Sequence, residues 1–326
     1  MLYPKMLLSL VIFFTCLTAH GHEQSDQERS VIKSPIHGEL QLEIGENVIA
    51  SYIYGDPEIP RPYFKDVKTV GGIKVTRNHP PIRGTDRGDH STMHPGIWMA
   101  FGDLDGADFW RNKAMVEHTR FLVPPTTSST DASFTAENHY LRPNGSVICK
   151  EVFEFAVHLL SPSPNDPQGY LMTWDSTFSS DNLFFFGDQE EMGLGIRVAT
   201  PLSELEGGQL LDSEGRVGAS EIWSQSAKWC DYSGIIDDQH VGMTIFCHPE
   251  NFRSSWMHAR NYGFVAANPF GRHAMKKGKP SQVKVKPDEP LRLRFAIYVH
   301  SGEESTAKTI EAAFQKYMEL SASTSE

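Results

Sequence analysis

In GELQLEI, residues 38–44, Leu40, Leu42 and Ile44 alternate with polar residues, and LRLRFAIYVH, residues 291–300, repeats the pattern at Leu291, Leu293, Phe295, Ile297 and Val299. A period of two sends successive side chains to opposite faces of an extended chain. Each segment therefore offers one face to a core and the other to solvent, as antiparallel sheets do. The segment YLRPNGSV, residues 140–147, is a hairpin signal, because Asn144 and Gly145 tolerate the positive φ of a tight turn. KEVFEFAVHLL then carries the return strand. Helices are expected in two places only: an N-terminal apolar run, and about Glu303 to Leu320, where Ala307, Ile310, Phe314 and Tyr317 share a face. The expected fold is all-β, a large sandwich of two packed sheets with a short C-terminal helix.

The chain opens with MLYPKMLLSLVIFFTCLTAHG, in which Lys5 precedes an apolar run from Met6 to Leu17 and small residues follow at Ala19 and Gly21. This is the layout of a secretory signal, too short to span a bilayer comfortably. The expected organisation is a signal over residues 1–21 and a single domain over 22–326, exported and without a membrane span. The Ser/Thr-rich PPTTSSTDAS, residues 124–133, lies between strands and reads as a surface loop. Past the signal, Cys149, Cys230 and Cys247 have no CxxC spacing, so they allow one disulfide and support no structural zinc site. Stability has to come from a large core, which about 300 residues can bury. A net charge of −11 argues against nucleic acid and anionic membrane surfaces as partners.

Polar residues with hydrogen-bonding capacity cluster in four stretches. GDHSTMHPGIWMAFGDLDGADFW, residues 88–110, holds His90 and His94. Their spacing of four would align them on a helix, but Pro95 and the flanking glycines place them on a loop entering a strand. RNHPP, residues 77–81, contributes Arg77 and His79, and GDQEEMGLGIR, residues 187–197, contributes Glu190, Glu191 and Arg197. WCDYSG and FCHPENFRSSWMHARNYGFVAANPFG, residues 229–234 and 246–271, carry Asp231, His248, Trp256, His258, Arg260, Tyr262 and Asn268. Aromatic faces interleaved with imidazoles, amides and carboxylates suit a carbohydrate or another small polar ligand: rings cover C–H faces while polar tips pair hydroxyls. The expected catalytic residues are His94, Glu191 and His248, with Glu191 the base and one of the histidines the acid. Ligand contacts are expected from Arg77, His79, His90, Trp98, Arg197, Asp231, His258, Arg260 and Asn268. Proton transfer of epimerase or lyase type on a sugar, with no cofactor, is the first expectation, and a noncatalytic glycan-binding module is the alternative.

RPYFKDVKTVGGIKVTRNHPP, DHSTMHPGIWMAFGDLDGADFW, EEMGLGIRVATPL, CHPENFRSSWMHARNYGFVAANPFG and LRLRFAIYVHSG together resemble the exported bacterial family labelled methane oxygenase PmoA, from about Pro60 to Gly302. Members of that family carry a compact DHxHHRG pattern; here the stretch is one residue longer and Pro95 precedes Gly96. The label implies a metal-dependent oxygenase, with copper or iron held by His90, His94 and one of His79, His248 or His258. The pattern is also similar to the β-supersandwich of galactose mutarotase-like proteins, a resemblance that implies a histidine acid and a glutamate base over a sugar ring.

Overall fold

Leu40, Leu42 and Ile44 lie in the main core together with Leu293, Phe295, Ile297 and Val299, and Leu291 packs at its margin. The alternation read from the sequence is thus the alternation of a sandwich. These positions come from a computed structural model that describes residues 30–127, 131–160, 169–302 and 307–323. The signal expected at residues 1–21 lies outside the described residues.

Among the described residues most strands fall into two eight-stranded antiparallel sheets. The first runs in the order β1 (Ser30–Ile36), β2 (Glu39–Ile44), β3 (Asn47–Ile53), β4 (Tyr63–Lys65), β5 (Ile97–Phe101), β11 (Met192–Arg197), β16 (Phe264–Asn268) and β15 (Trp256–Arg260). The second runs β12 (Gln209–Asp212), β13 (Trp229–Ile236), β14 (Gln239–Cys247), β18 (Leu291–Gly302), β9 (Gly169–Ser179), β8 (Val147–Leu159), β7 (Asp131–Leu141) and β6 (Met115–Thr127). A small pair, β10 (Phe184–Phe186) with β17 (Val283–Val285), stands apart. The expected hairpin joins β7 to β8, with Gly145 at φ +84° and its N–H donating to Arg142 O at 2.8 Å. All three described cysteines are buried and unbonded.

Each sheet has a second, outward face, and the two are finished differently. On the second sheet, α2 (Ala307–Ser323) lays Ile310, Ala313, Phe314 and Tyr317 over Trp229, Phe246, Ala296 and Tyr298. Ala307, expected on the buried face of this helix, is exposed, and Ala313 takes its place in the packing. A one-turn helix, α1 (Ala219–Ile222), was not expected from the sequence. On the first sheet, Tyr63, Trp98, Ala100, Trp110, Phe264 and Ala266 form a separate aromatic layer. Trp98 pairs in register with Gly195 on β11, and a Cβ there would come within 2.9 Å of the Trp98 ring. Glycine at 195 is what lets the indole lie flat on the sheet. Among the described residues no helix is long and apolar enough to cross a membrane.

Candidate functional site

Period two also decides which polar side chains meet on the first sheet. Trp98, Arg197, Phe264, His258, Arg260 and Asn268 all occupy the positions that alternate with core residues Ile97, Ile196, Val265, Met257, Ala259 and Ala267. They therefore share the outward face, although β5, β11 and the β15–β16 hairpin that carry them are distant in sequence.

The loop carrying His90 and His94 has no sheet partners to satisfy its backbone, and a buried guanidinium does so instead. Arg77 donates to the carbonyls of Arg87 (3.0 Å), Asp89 (2.6 Å), His90 (3.3 Å) and His94 (3.0 Å). Burial, helped by neighbouring Arg197, pulls its pKa down to about 10, so it remains a cation at neutral pH. Arg61 adds a contact to Met93 O at 2.6 Å. Asp89 receives both terminal nitrogens of Arg197 (2.9 and 3.0 Å) and faces His90 Nδ1 at 3.0 Å. Burial works to raise the Asp89 pKa, but the bonds from Arg197 and His90 hold it well below the usual carboxylate range. The Arg197 guanidinium in turn lies 4.6 Å over the Tyr262 ring.

So held, His94 slots into an aromatic stack. Its ring is 4.5 Å from Phe264, 4.9 Å from Trp98 and 4.6 Å from His90, near-parallel to all three. Above the stack is a recess of about 290 Å³ bounded by His90, Met93, His94, Trp110, Arg111, Glu191, His258, Arg260, Tyr262 and Phe264. Glu191 is bound by Arg111 at 2.5 Å. Glu190 accepts from Arg260 and from Trp223 Nε1, each at 2.9 Å. Its backbone carbonyl lies 3.0 Å from His258 Nδ1. A carbonyl can only accept, so Nδ1 carries the proton and Nε2 of the neutral ring is left as an acceptor. Among the described residues that Nε2 is buried without a hydrogen-bond partner, as is Nδ1 of His94.

Burial and then Arg260 lower the His258 pKa to about 4 against the opposing pull of Glu190. Burial, followed by His90, Arg197, Arg77 and Arg61, sets His94 well below the ordinary imidazole value. Both rings are neutral at neutral pH. Burial tends to raise Glu190, but His258 and Arg260 bring it below the usual glutamate value. The recess thus presents the neutral imidazoles of His94 and His258 beside the His90 ring, together with Arg111 paired to Glu191 and Arg260 paired to Glu190, over an aromatic floor.

His94, Glu191, His90, His258 and Arg260 converge here as expected from sequence, while the remaining candidates are placed elsewhere or beneath. Trp98 is 0% exposed and backs His94 from below, where no ligand reaches it. Arg77, Arg197 and Asn268 are buried positioning groups; Asn268 donates to the carbonyls of Gln189 (2.8 Å) and Glu190 (3.0 Å) and so fixes the turn before β11. His79 packs edge-on against Tyr63 at 5.4 Å, outside the recess lining. His248 sits at the end of β14, on the other sheet, edge-on to Tyr317 of α2 at 5.8 Å, and its Nδ1 accepts from Glu250 N at 3.1 Å. Asp231 is buried in the second sheet as well, bonded to Ser233, Thr244 and His300 at 2.7, 2.6 and 2.8 Å. Neither belongs to the recess, because the alternation of β13 and β14 turns their side of the sheet toward α2. Arg111 was missed, although it directly follows the DFW quoted above. Its pairing with a glutamate eighty positions on leaves no local pattern. Among the described residues no three His, Cys, Asp or Glu side chains converge as metal ligands.

A two-sheet β-sandwich with a charge-balanced polar recess on one outward face is the class that fold and site define. The chain belongs to DUF6807, a family of unknown function whose model matches residues 39–315. This match corrects the expected membership of the family labelled methane oxygenase PmoA, and the copper or iron oxygenase reading that came with that label goes with it. No curated protein matches the sequence. Among solved structures, "Putative kojibiose phosphorylase from human microbiome" is similar with a TM-score of 0.35 and 8% identity. That similarity covers 91% of this chain and only 33% of the length of the other, and at this level it carries no argument about function.

Proposed function

We propose that the recess binds a sugar or sugar derivative and moves a proton on it, in chemistry of epimerase or lyase type. Glu191 is the base that takes a proton from carbon, and the neutral His94 ring is the partner that donates to the oxygen on which charge builds. His258 Nε2 accepts from one ligand hydroxyl, and Arg260 and Arg111 donate to others. The observation that carries this reading is the pair of imidazole nitrogens, buried and without partners among the described residues, on two histidines that line the same recess as Glu191. Buried polar atoms are almost always paired, so a ligand with hydroxyl groups is the natural complement. Because each arginine is matched by a glutamate, the ligand is neutral rather than strongly charged. Export through the N-terminal segment is part of the same proposal, and a processed protein beginning near residue 22 by intact mass is its check.

The test is exchange of sugar ring protons with solvent deuterium, followed by NMR over a panel of common sugars. Wild type is expected to exchange one carbon-bound proton, and Glu191→Ala or His94→Ala to slow it by about 10²-fold or more. Full exchange rates in both variants overturn the assignment. A noncatalytic glycan-binding module is the second reading, favoured by the tight Arg111 grip on Glu191. It predicts sugar binding that survives Glu191→Ala, fails with Tyr262→Ala, and is accompanied by no exchange.

A further inference from the structure

Arg260 borders two hollows. On one side is the recess; on the other is an open groove of about 530 Å³ bounded by Glu204, Leu205, Ser220, Trp223, Arg260 and Asn261. The groove is assembled where α1 and the turn at Glu204–Glu206 lie against the end of β15. Its wall mixes an apolar part with polar tips: Leu205 is 48% exposed, the Trp223 indole is half-buried, and Ser220 and Asn261 supply a hydroxyl and an amide. Arg260 and Lys276 lie 5.9 and 5.1 Å from the Trp223 ring.

The groove and the recess share more than a border. One carboxylate oxygen, Glu190 Oε1, accepts from Trp223 on the groove side and from Arg260 between the two, and stands 3.8 Å from the unpartnered His258 Nε2 on the recess side. The same carboxylate therefore fixes the groove wall, the dividing arginine and the surroundings of the recess imidazole. We infer that the ligand is a glycosidically linked sugar, at least a disaccharide, with one unit in the recess and the next lying across Arg260 against Leu205 and Trp223. This inference rests on the reading of the recess as a sugar site and deepens it by naming the substrate class. A recess of about 290 Å³ is filled by a single sugar ring, and the groove is the continuation open to a second.

The experiment is calorimetric titration with glucose, galactose and mannose and with disaccharides built from each. Wild type is expected to bind one disaccharide at least about tenfold more tightly than its parent monosaccharide. Ser220→Trp, an exposed position outside the recess, fills the groove and should cut that disaccharide's affinity to the monosaccharide level while leaving monosaccharide affinity within about twofold. Leu205→Ala, which trims the wall without filling it, should lose part of the disaccharide advantage. Equal affinity for mono- and disaccharides in wild type, or an advantage untouched by Ser220→Trp, overturns the two-unit ligand and leaves the recess reading standing. Binding of none of these sugars overturns both.

Discussion

The outward faces of the two sheets hold the same kinds of residue and come to opposite ends. On the second sheet, Asp231, Ser233, Thr244 and His300 close on one another within hydrogen-bond distance, and α2 covers the aromatic residues beside them. On the first sheet, the aromatic layer has no covering helix among the described residues, and His94 and His258 each keep a buried nitrogen for which those residues supply no partner. A polar cluster in which every group is satisfied fixes structure; one held rigid yet left incomplete is prepared for something else. What separates the Asp231 cluster from the pair His94 and His258 is completion, and residue type alone does not reveal it.

The strongest way to break the comparison is Asp231→Ala. It leaves three donors around a buried void, and a loss of about 3–5 kcal/mol is expected in denaturant unfolding. Sugar binding per folded molecule should be unchanged; loss of binding would mean the closed face is not merely structural. Next is the acid limb of stability. His258 goes from 6.5 to about 4 on folding, so the folded state favours the neutral ring. Its contribution is whole above pH 6.5 and drains away as pH falls toward 4, by roughly 3 kcal/mol at most. His258→Gln should flatten the fall in melting temperature across that window, and an unchanged slope would place the titration elsewhere. Smaller again is Gly195→Ala, whose methyl meets the Trp98 ring: about 1–3 kcal/mol of stability, with a matching loss of ligand affinity as His94 is pushed from its stack. Smallest is His248→Ala, expected to cost about 1 kcal/mol through the lost bond from Glu250 N, with no effect on ligand binding or proton exchange.

The two faces also show what a reader of the sequence alone could and could not obtain. Strand alternation around Leu40 and Leu293 reports burial directly, because one residue's side is set by its neighbours two positions away. The Arg142–Ser146 turn is equally local. By contrast, His258 and His248 sit ten residues apart in one dense cluster and end on different sheets, since the loop between β14 and β15 crosses the sandwich. Glu191 was found because it borders an alternating strand, but its partner Arg111 was not: the pair forms only when β5 lies against β11. Strand adjacency is a property of the whole chain. The histidines most relevant to the recess were legible as histidines, and which of them lacked a partner was not.

The four carbonyls gathered by Arg77 have a consequence for how this site can change over time. A carbonyl is present whatever amino acid carries it, so the anchor is indifferent to the identities of the residues whose backbone it grips. Met93, which borders the recess and is gripped by Arg61 only through its carbonyl, can be exchanged, and the preference for one ligand over another retuned, without disturbing the anchorage that keeps His94 in place.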